Sequence, residues 1–402
     1  MVEILTILFI VELALFVFID FCKSGTIYTP IAFLGVPFAV VMVFAVYISP
    51  HLGFLPLTQY TLLLWCTGIF LFWFSGAAVL FAIIDTKLTA PFSGMSSSYF
   101  FNKTVQVLSW VCILILFVSA AHSFLRYGTV RSNAFSADFA SGGIAAHCLN
   151  LMKYNAALLF ASKESGKIQR GGIVALTFMF LLLYNVKGAI FLTALVCLFA
   201  KFIVSESRLN IRKIVFLVTL GTTIFVLSYY VSLGHLDPKF LIFHFVGYVV
   251  SGIVGIGEYL RHGGPVDTDF RMVFLPLVNI YNALTGGEIL TKISDSWVAI
   301  SILHGKNSNV KTFFGDIYIY SGVIKGCLFV SFFGLISYSF LILTILKKNT
   351  AFLILYLFVI LSLMLGWFAF YFNAIFYYEI VAYVIFISLI SIAARELLGH
   401  HT

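Results

Sequence analysis

The sequence predicts an all-α, polytopic integral membrane protein with about eleven transmembrane helices. It also predicts a large external loop containing short or re-entrant helices. Three observations point there. The chain is 61% hydrophobic and only 10% charged over 402 residues, where soluble domains carry roughly 25% charge. Its mean hydropathy is +1.07. Its apolar runs are about 20 residues long, the length of a helical span, and their period is helical.

The segment Met1 to Phe21 lacks a basic leader and a small-residue cleavage site, so it reads as a first span. Taken in order, the predicted spans are 3–21, 28–48, 58–84, 104–124, 142–161, 171–185, 188–204, 212–232, 317–346, 350–370 and 374–394. The run 188–204 is short, and 58–84 is long enough to tilt. No internal repeat is visible, so 1–402 reads as a single transmembrane domain. The six cysteines lie in or beside apolar runs without metal-ligand spacing, which predicts neither disulfide nor zinc.

Charge sets the orientation. With alternating spans, Lys23, Lys87, Lys103, Lys163, Lys167, Arg170, Lys201, Arg208, Arg212, Lys213, Lys347, Lys348 and Arg395 fall on one side. The positive-inside rule makes that side cytoplasmic. The net charge of +8 follows from this asymmetry and does not point to nucleic acid. The opposite face receives a small loop at 125–141, the Lys187 turn and a large loop at 233–316. Within the large loop, 240–260 is apolar enough to span. A lone crossing there would move Lys347 and Lys348 outside, and 271–290 is too short to pair with it. The segment is therefore expected to dip into the membrane or lie along it, as non-helical or re-entrant structure can when it lines a protein cavity.

The candidate chemistry lies in the external cations. Lys187 stands in Asn185-Val186-Lys187-Gly188, between two oily runs, and Arg126, Arg131, Arg261, Arg271 and Lys311 share its side. Arginine forks bind phosphate bidentately and stay charged. Their ordinary use near span ends is to snorkel toward headgroups. Lys153 sits in mid-span, where a lysine needs a partner or a wet cavity. Glu258 and Arg261 share a helix face, with His262 beside them and His147 near a span end. Asp316 opens a polar stretch at a span mouth, as a base or as an ordinary helix cap. The sequence carries no nucleotide-binding loop, hydrolase elbow or zinc-protease signature, and its outer loops are not acid-rich. These readings predict no metal and no cofactor.

The order of parts, the Asn185-Val186-Lys187-Gly188 turn and the run from Asn309 through Thr312, Gly315, Asp316, Tyr318, Gly322 and Gly326 carry a resemblance. The chain resembles the bacterial O-antigen (oligosaccharide repeat-unit) polymerases called Wzy, which relate in fold to O-antigen ligases. The Arg131-to-Gly142 spacing is similar to an Arg-x10-Gly pattern in that family, though with 30 glycines such pairs arise readily by chance. Asn185 stands where the family often has Gly, and Tyr320-Ser321-Gly322 where Asp-Phe-Gly is common.

The resemblance implies glycosyl transfer on the periplasmic face of the bacterial inner membrane. A glycan on undecaprenyl diphosphate would pass to the terminal sugar of a new lipid-linked unit, in lipopolysaccharide or related polysaccharide biosynthesis. It implies as partners undecaprenyl-diphosphate-linked oligosaccharides, membrane lipids, a chain-length-regulating co-polymerase and a flippase. Arg131, Lys187 and Arg271 would steady the diphosphate, with Glu258, His262 or Asp316 as the base. Arg126, Arg261, Lys311, Tyr318 and Lys153 would bind substrate. The alternatives are an O-antigen ligase, a lipid-linked oligosaccharide flippase, and a membrane acyltransferase using His244.

Overall fold

In hydrocarbon every backbone polar group must be paired within the protein, so long apolar runs close their hydrogen bonds as helices. A computed structural model describes residues 1–84, 90–130, 132–140, 142–162, 166–206, 219, 221, 223, 237–291, 297–303 and 305–397. For Lys187, Pro238, Lys239, Ala394, Arg395 and Leu397 it describes the backbone alone. The helices are α1 Val2–Ser24, α2 Pro30–Tyr47, α3 Gln59–Ile83, α4 Tyr99–Tyr127, α5 Asn133–Ala140, α6 Gly143–Ala161, α7 Lys167–Tyr184, α8 Lys187–Val204, α9 Pro238–Arg261, α10 Leu275–Thr285, α11 Phe313–Lys347, α12 Thr350–Met364 and α13 Phe376–Leu397. A two-residue antiparallel hairpin pairs β1 Val298–Ala299 with β2 Asn307–Ser308.

Eight helices among the described residues are long and apolar enough to cross a membrane, by length and composition. They are α1, α2, α3, α4, α7, α9, α11 and α13, and two shorter apolar helices fall in α8 and α12. The expected span 212–232 lies outside the described residues apart from 219, 221 and 223. The expected run 350–370 is helical only over 350–364. The 240–260 stretch is one unbroken helix, α9, as apolar as the spans. The expected small loop, 125–141, contains α5. Asn185 ends α7 with φ 58°, the left-handed conformation that asparagine tolerates, and α8 starts two residues later.

The chain packs as two compact units. The first comprises 1–91, 235–343 and 359–375, and the second 92–234, 344–358 and 376–402.

In the first unit, α11 is two helical arms joined at Gly322, whose φ 67° and ψ −164° are open essentially to glycine alone. The rings of Phe313 and Phe333 stand 5.9 Å apart. Twenty residues of straight helix would separate them by about 30 Å. The chain therefore reverses at Gly322, and the 313–321 arm runs back alongside the longer one. The carbonyls that the reversal frees, on Ile319 and Tyr320, accept the backbone N–H groups of Thr268 and Asp269 at 3.1 Å each. The N-terminus of the short arm joins the 365–372 connection: Phe313 N–H donates to Gly366 O at 2.7 Å and Thr312 N–H to Phe368 O at 3.2 Å. Phe313, Phe333, Phe370 and Phe372 form one cluster there.

Helix α9 packs on α2, on α3, on the β hairpin and on connections. The Thr61 hydroxyl donates to Ile253 O at 2.9 Å. Side chains at Gly252 and Gly257 would strike the Trp367 carbonyl and Thr58 respectively, so glycine permits the close approach.

In the second unit, α6 is the centre, packed by α4, α7, α8 and α13. Asn155 of α6 donates to Ser109 of α4 at 3.0 Å, and the Tyr154 hydroxyl to Ala351 O at 3.1 Å.

Candidate functional site

The first unit holds eight of the residues singled out by sequence. At the last turn of α9, Glu258 is 1% exposed, although a carboxylate buried there demands a partner. Arg261 supplies it, with NH2 2.9 Å from Oε2. His262 Nε2 lies 3.6 Å from the same oxygen, inside ion-pair range but beyond a hydrogen bond. The other oxygen, Oε1, has no hydrogen-bond partner among the described residues. Arg261 and His262 are open to solvent, with side chains 51% and 69% exposed. The helix thus ends in a buried carboxylate that orients two exposed polar groups.

Beyond α9 the chain crosses the reversal of α11. Lys325 Nζ stands 2.6 Å from Asp267, which itself adopts φ 58°. Asp269 caps the 3-10 turn Phe270–Phe274 by accepting from Arg271 N at 3.0 Å. The Arg271 side chain clamps the same carboxylate, Nε to Oδ1 at 2.9 Å and NH2 to Oδ2 at 2.9 Å. Hydrogen bonds from Arg271 hold the Asp269 carboxyl below the usual carboxylate range.

An apolar groove of about 340 Å³ opens between α3 and α11. Tyr60, Leu260, Tyr318 and Gly322 stand at one end, and Leu71 and Val330 at the other. Leu260 precedes Arg261, and a Cβ at Gly322 would meet Asp267 at 3.1 Å, so two charged residues adjoin groove-lining positions at the first end, while no charged side chain is among the described residues lining the groove. Tyr318 lines this groove.

Asp316 and Lys311 are placed differently from that mouth. Asp316 is 2% exposed and accepts the Phe370 N–H at 3.1 Å, tying the short arm of α11 to the 365–375 connection. Burial pushes the neighbouring Tyr371 phenol well up, and the Asp316 charge adds to it. Lys311 is fully buried, with Nζ 5.6 Å from the Tyr259 ring centroid and 3.5 Å from Ser308 O. His244 lies toward the other end of α9, its Nδ1 2.7 Å from Lys306 Nζ.

The second unit holds the remaining candidates. Arg126 pairs with Asp138 of α5 at 3.1 Å. Arg131 lies outside the described residues, and of Lys187 only the backbone is described, as the first residue of α8. Lys153 Nζ donates to Asn150 Oδ1 at 2.7 Å and lies 4.6 Å from the Phe376 ring centroid. Asn150 in turn donates to Glu379 at 2.7 Å, and His147 Nδ1 pairs with the same carboxylate. Lys153 thus shares one face of α6 with His147 and Asn150, and α6, expected to span, is not among the helices apolar enough to do so.

The acidic partners Asp138, Asp267, Asp269 and Glu379 were not singled out from sequence. Asp269 carried a signal, two residues before Arg271; Glu379 is far from Lys153 along the chain and carried none. A buried Asp20, bonded by Trp73 Nε1 at 3.0 Å and by the Tyr338 hydroxyl, was likewise not foreseen. Among the described residues no group of His, Cys, Asp or Glu is arranged to hold a metal.

A family model described as "Family of unknown function (DUF6337)" matches residues 53–396. No curated protein and no solved structure matches the chain.

Proposed function

We propose that this chain, which belongs to the DUF6337 family, is a metal-independent membrane glycosyltransferase. It would polymerise lipid-diphosphate-linked oligosaccharide units at the periplasmic face of the bacterial inner membrane. The observation that carries this reading is the joining of an apolar groove to a charged mouth. A lipid tail fits between α3 and α11, and the groups at Leu260–His262 and around Gly322 meet its head.

In this reading α9 lies at the outer mouth of the first unit instead of crossing beside the spans. Part of its packing supports that placement: Thr58, Thr61, Ser308, Val310, Trp367 and Phe368 belong to connections, to the β hairpin or to the first turn of α3, beside its contacts with α2 and with Gly315 of α11. The positive-inside pattern puts those connections on the periplasmic side.

The exposed His262 is the base and Glu258 its positioning residue. The acceptor sugar hydroxyl gives its proton to His262, and its oxygen forms the bond to the donor sugar C1. The C1–O bond to the diphosphate breaks, and its electron pair leaves on the diphosphate oxygen. A guanidinium has five N–H donors. Arg261 spends NH2 on Glu258, and Arg271 spends Nε and NH2 on Asp269, so each keeps donors for phosphate oxygens. Preorganised cations of this kind lower the barrier where charge develops. Asp316 and Lys311, both buried, hold the connections that pack beside α9 and α11 in this scheme.

The test is reconstitution of the purified protein with a synthetic undecaprenyl-diphosphate repeat unit. A ladder of polymer that disappears in His262→Ala is expected. Wild-type protein that makes no ladder, while a known polymerase in the same vesicles does, rejects the reading.

A further inference from the structure

An apolar helix face stands exposed between the charged mouth and the β hairpin. Over 272–287 the chain has no charged residue. Its helix, α10, places Leu277, Ile280, Tyr281 and Leu284 at i, i+3, i+4 and i+7, which is one stripe of a helix surface. In a water-facing helix that stripe turns toward the core. Here all four side chains are exposed, Tyr281 at 66% and Leu284 at 82%. We infer that α10 is an interfacial anchor: its stripe lies in the acyl region of the membrane that the spans cross, and its occupant is phospholipid.

Depth is the first reason. Helix α10 is tied to α11 by Phe274, the residue before its first turn. The Phe274 ring stands 5.2, 5.6 and 5.8 Å from the rings of Phe329, Phe332 and Phe333. All three belong to the long arm of α11, past Gly322. The uncharged stretch of that arm, 326–346, runs between Lys325 and Lys347. It is about 31 Å long, which matches the thickness of a hydrocarbon core. Phe329 and Phe333 lie four and eight residues inside Lys325 (329 − 325 and 333 − 325). They are therefore about 6–12 Å within that core. Phe274 is held at the same depth, and α10 starts from there.

Continuity is the second. Phe332, one of the rings against Phe274, is itself exposed, as are Leu328 and Leu335 of the same arm. Exposed apolar side chains on a span face acyl chains, so the α10 stripe sets out from a lipid-facing surface. The third reason is that the polar side of α10 is closed by its own chain. Gly286, with φ 74°, turns the chain back. Asn279 Nδ2 donates to Leu290 O at 2.9 Å, and its Oδ1 accepts from Leu290 N at 2.8 Å. Asn282 Nδ2 donates to Glu288 O at 2.6 Å, and the Thr285 hydroxyl to Tyr281 O at 2.9 Å. Backbone that enters a bilayer must find such partners within the protein. A basic polar face would hold the helix out at the headgroups; α10 has none. The anchor also ties Arg271, on the same 3-10 turn as Phe274, to a fixed depth. A protein partner seated on the stripe is the rival outcome, and the test separates the two.

Full-length protein is made with the photo-crosslinker p-benzoylphenylalanine in place of Tyr281, Leu284 or Leu328. It is reconstituted into vesicles of phosphatidylethanolamine and phosphatidylglycerol in equal parts, irradiated and weighed intact by mass spectrometry. Leu328 is the lipid-facing reference. All three positions are exposed, so little packing is lost, and elution as a single species checks the fold. A mass gain of one phospholipid is expected at Tyr281 and Leu284, with yields like that at Leu328. No lipid adduct at either position, with Leu328 giving one, overturns the proposal. Crosslinks between two copies in place of lipid adducts overturn it as well. So does attachment to another protein, in place of lipid, when cells expressing the same variants are irradiated. The adducts do not depend on sugar transfer, so this inference and the proposed activity fail separately.

Discussion

Phe313 and Phe333 touch edge to face, at 5.9 Å, because the chain turns back between them. The turn hangs on Gly322, and a Cβ there would also meet Asp267 Cβ at 3.1 Å. Gly322→Ala forces a side chain into a glycine-only conformation, at a cost of about 1–3 kcal/mol. Gly326→Ala, one turn later, meets only Ser321 Oγ at 3.4 Å and should be neutral. Thermal midpoints of the two variants in one detergent check this. Equal midpoints would mean that α11 does not need its reversal.

The pair formed by Glu258 and His262 gives a functional prediction. His262→Ala should lower turnover by about 10²–10⁴-fold, the usual range for loss of a general base. Binding of the lipid-linked donor should change little, because the proposed scheme places His262 at the acceptor. Glu258→Gln keeps the shape and removes the charge that orients His262, so it should fall between His262→Ala and wild type. A His262→Ala enzyme with unaltered turnover would exclude this residue as the base.

How far these groups were legible in the sequence depends on distance along the chain. Glu258, Arg261 and His262 lie within one helical turn, so periodicity alone set them together. The helices themselves followed from apolar length. Helix α9 passes the same hydropathy criterion as the other candidate spans, so apolar length alone does not separate it from them. The reversal of α11 was hidden because residues on both sides of Gly322 are apolar and helical in period. The cations were legible as charges, whereas Asp138 and Glu379 reach them through packing that no local pattern records.

Asp269 gives a pH-dependent prediction. Its folded pKa is depressed by Arg271, so its contribution is fully present above the ordinary aspartate value of about 3.9. The contribution is lost as pH falls through the lower folded value. Wild type and Asp269→Asn should therefore differ by a constant amount between pH 7 and 5 and converge only below about pH 4. Asn caps as well as Asp, so the cap survives in that variant. Asp269→Ala loses both and should cost about 0.5–2 kcal/mol. Midpoints measured across that pH range decide the matter.

Lys153 and Glu379 should respond unequally. Lys153→Met keeps the apolar stem over Phe376 and removes a charge from α6, so stability should hold or rise. Glu379→Ala strips a partner from both His147 and Asn150, which should cost about 1–3 kcal/mol. A Lys153→Met protein that is stable yet inactive in the ladder assay would assign the lysine to substrate. One that is stable and active would leave it as packing.

The groove between α3 and α11 yields the last prediction. Gly326 faces the cavity of about 340 Å³, and the nearest atom a Cβ would meet is 3.4 Å away. Gly326→Phe therefore projects a ring into the groove without striking backbone. If a long prenyl chain lies there, the ring displaces apolar contacts worth about 0.8 kcal/mol for each methylene. Loss of two such groups would raise KM for the lipid-linked donor by roughly tenfold. A donor on a short prenyl tail never reaches that depth and should keep its KM. Turnover at saturation should change little with either donor, because uniform binding is lost and not transition-state contact. A KM that rises equally for long and short tails would place the lipid elsewhere and leave the groove as a packing fault between two helices.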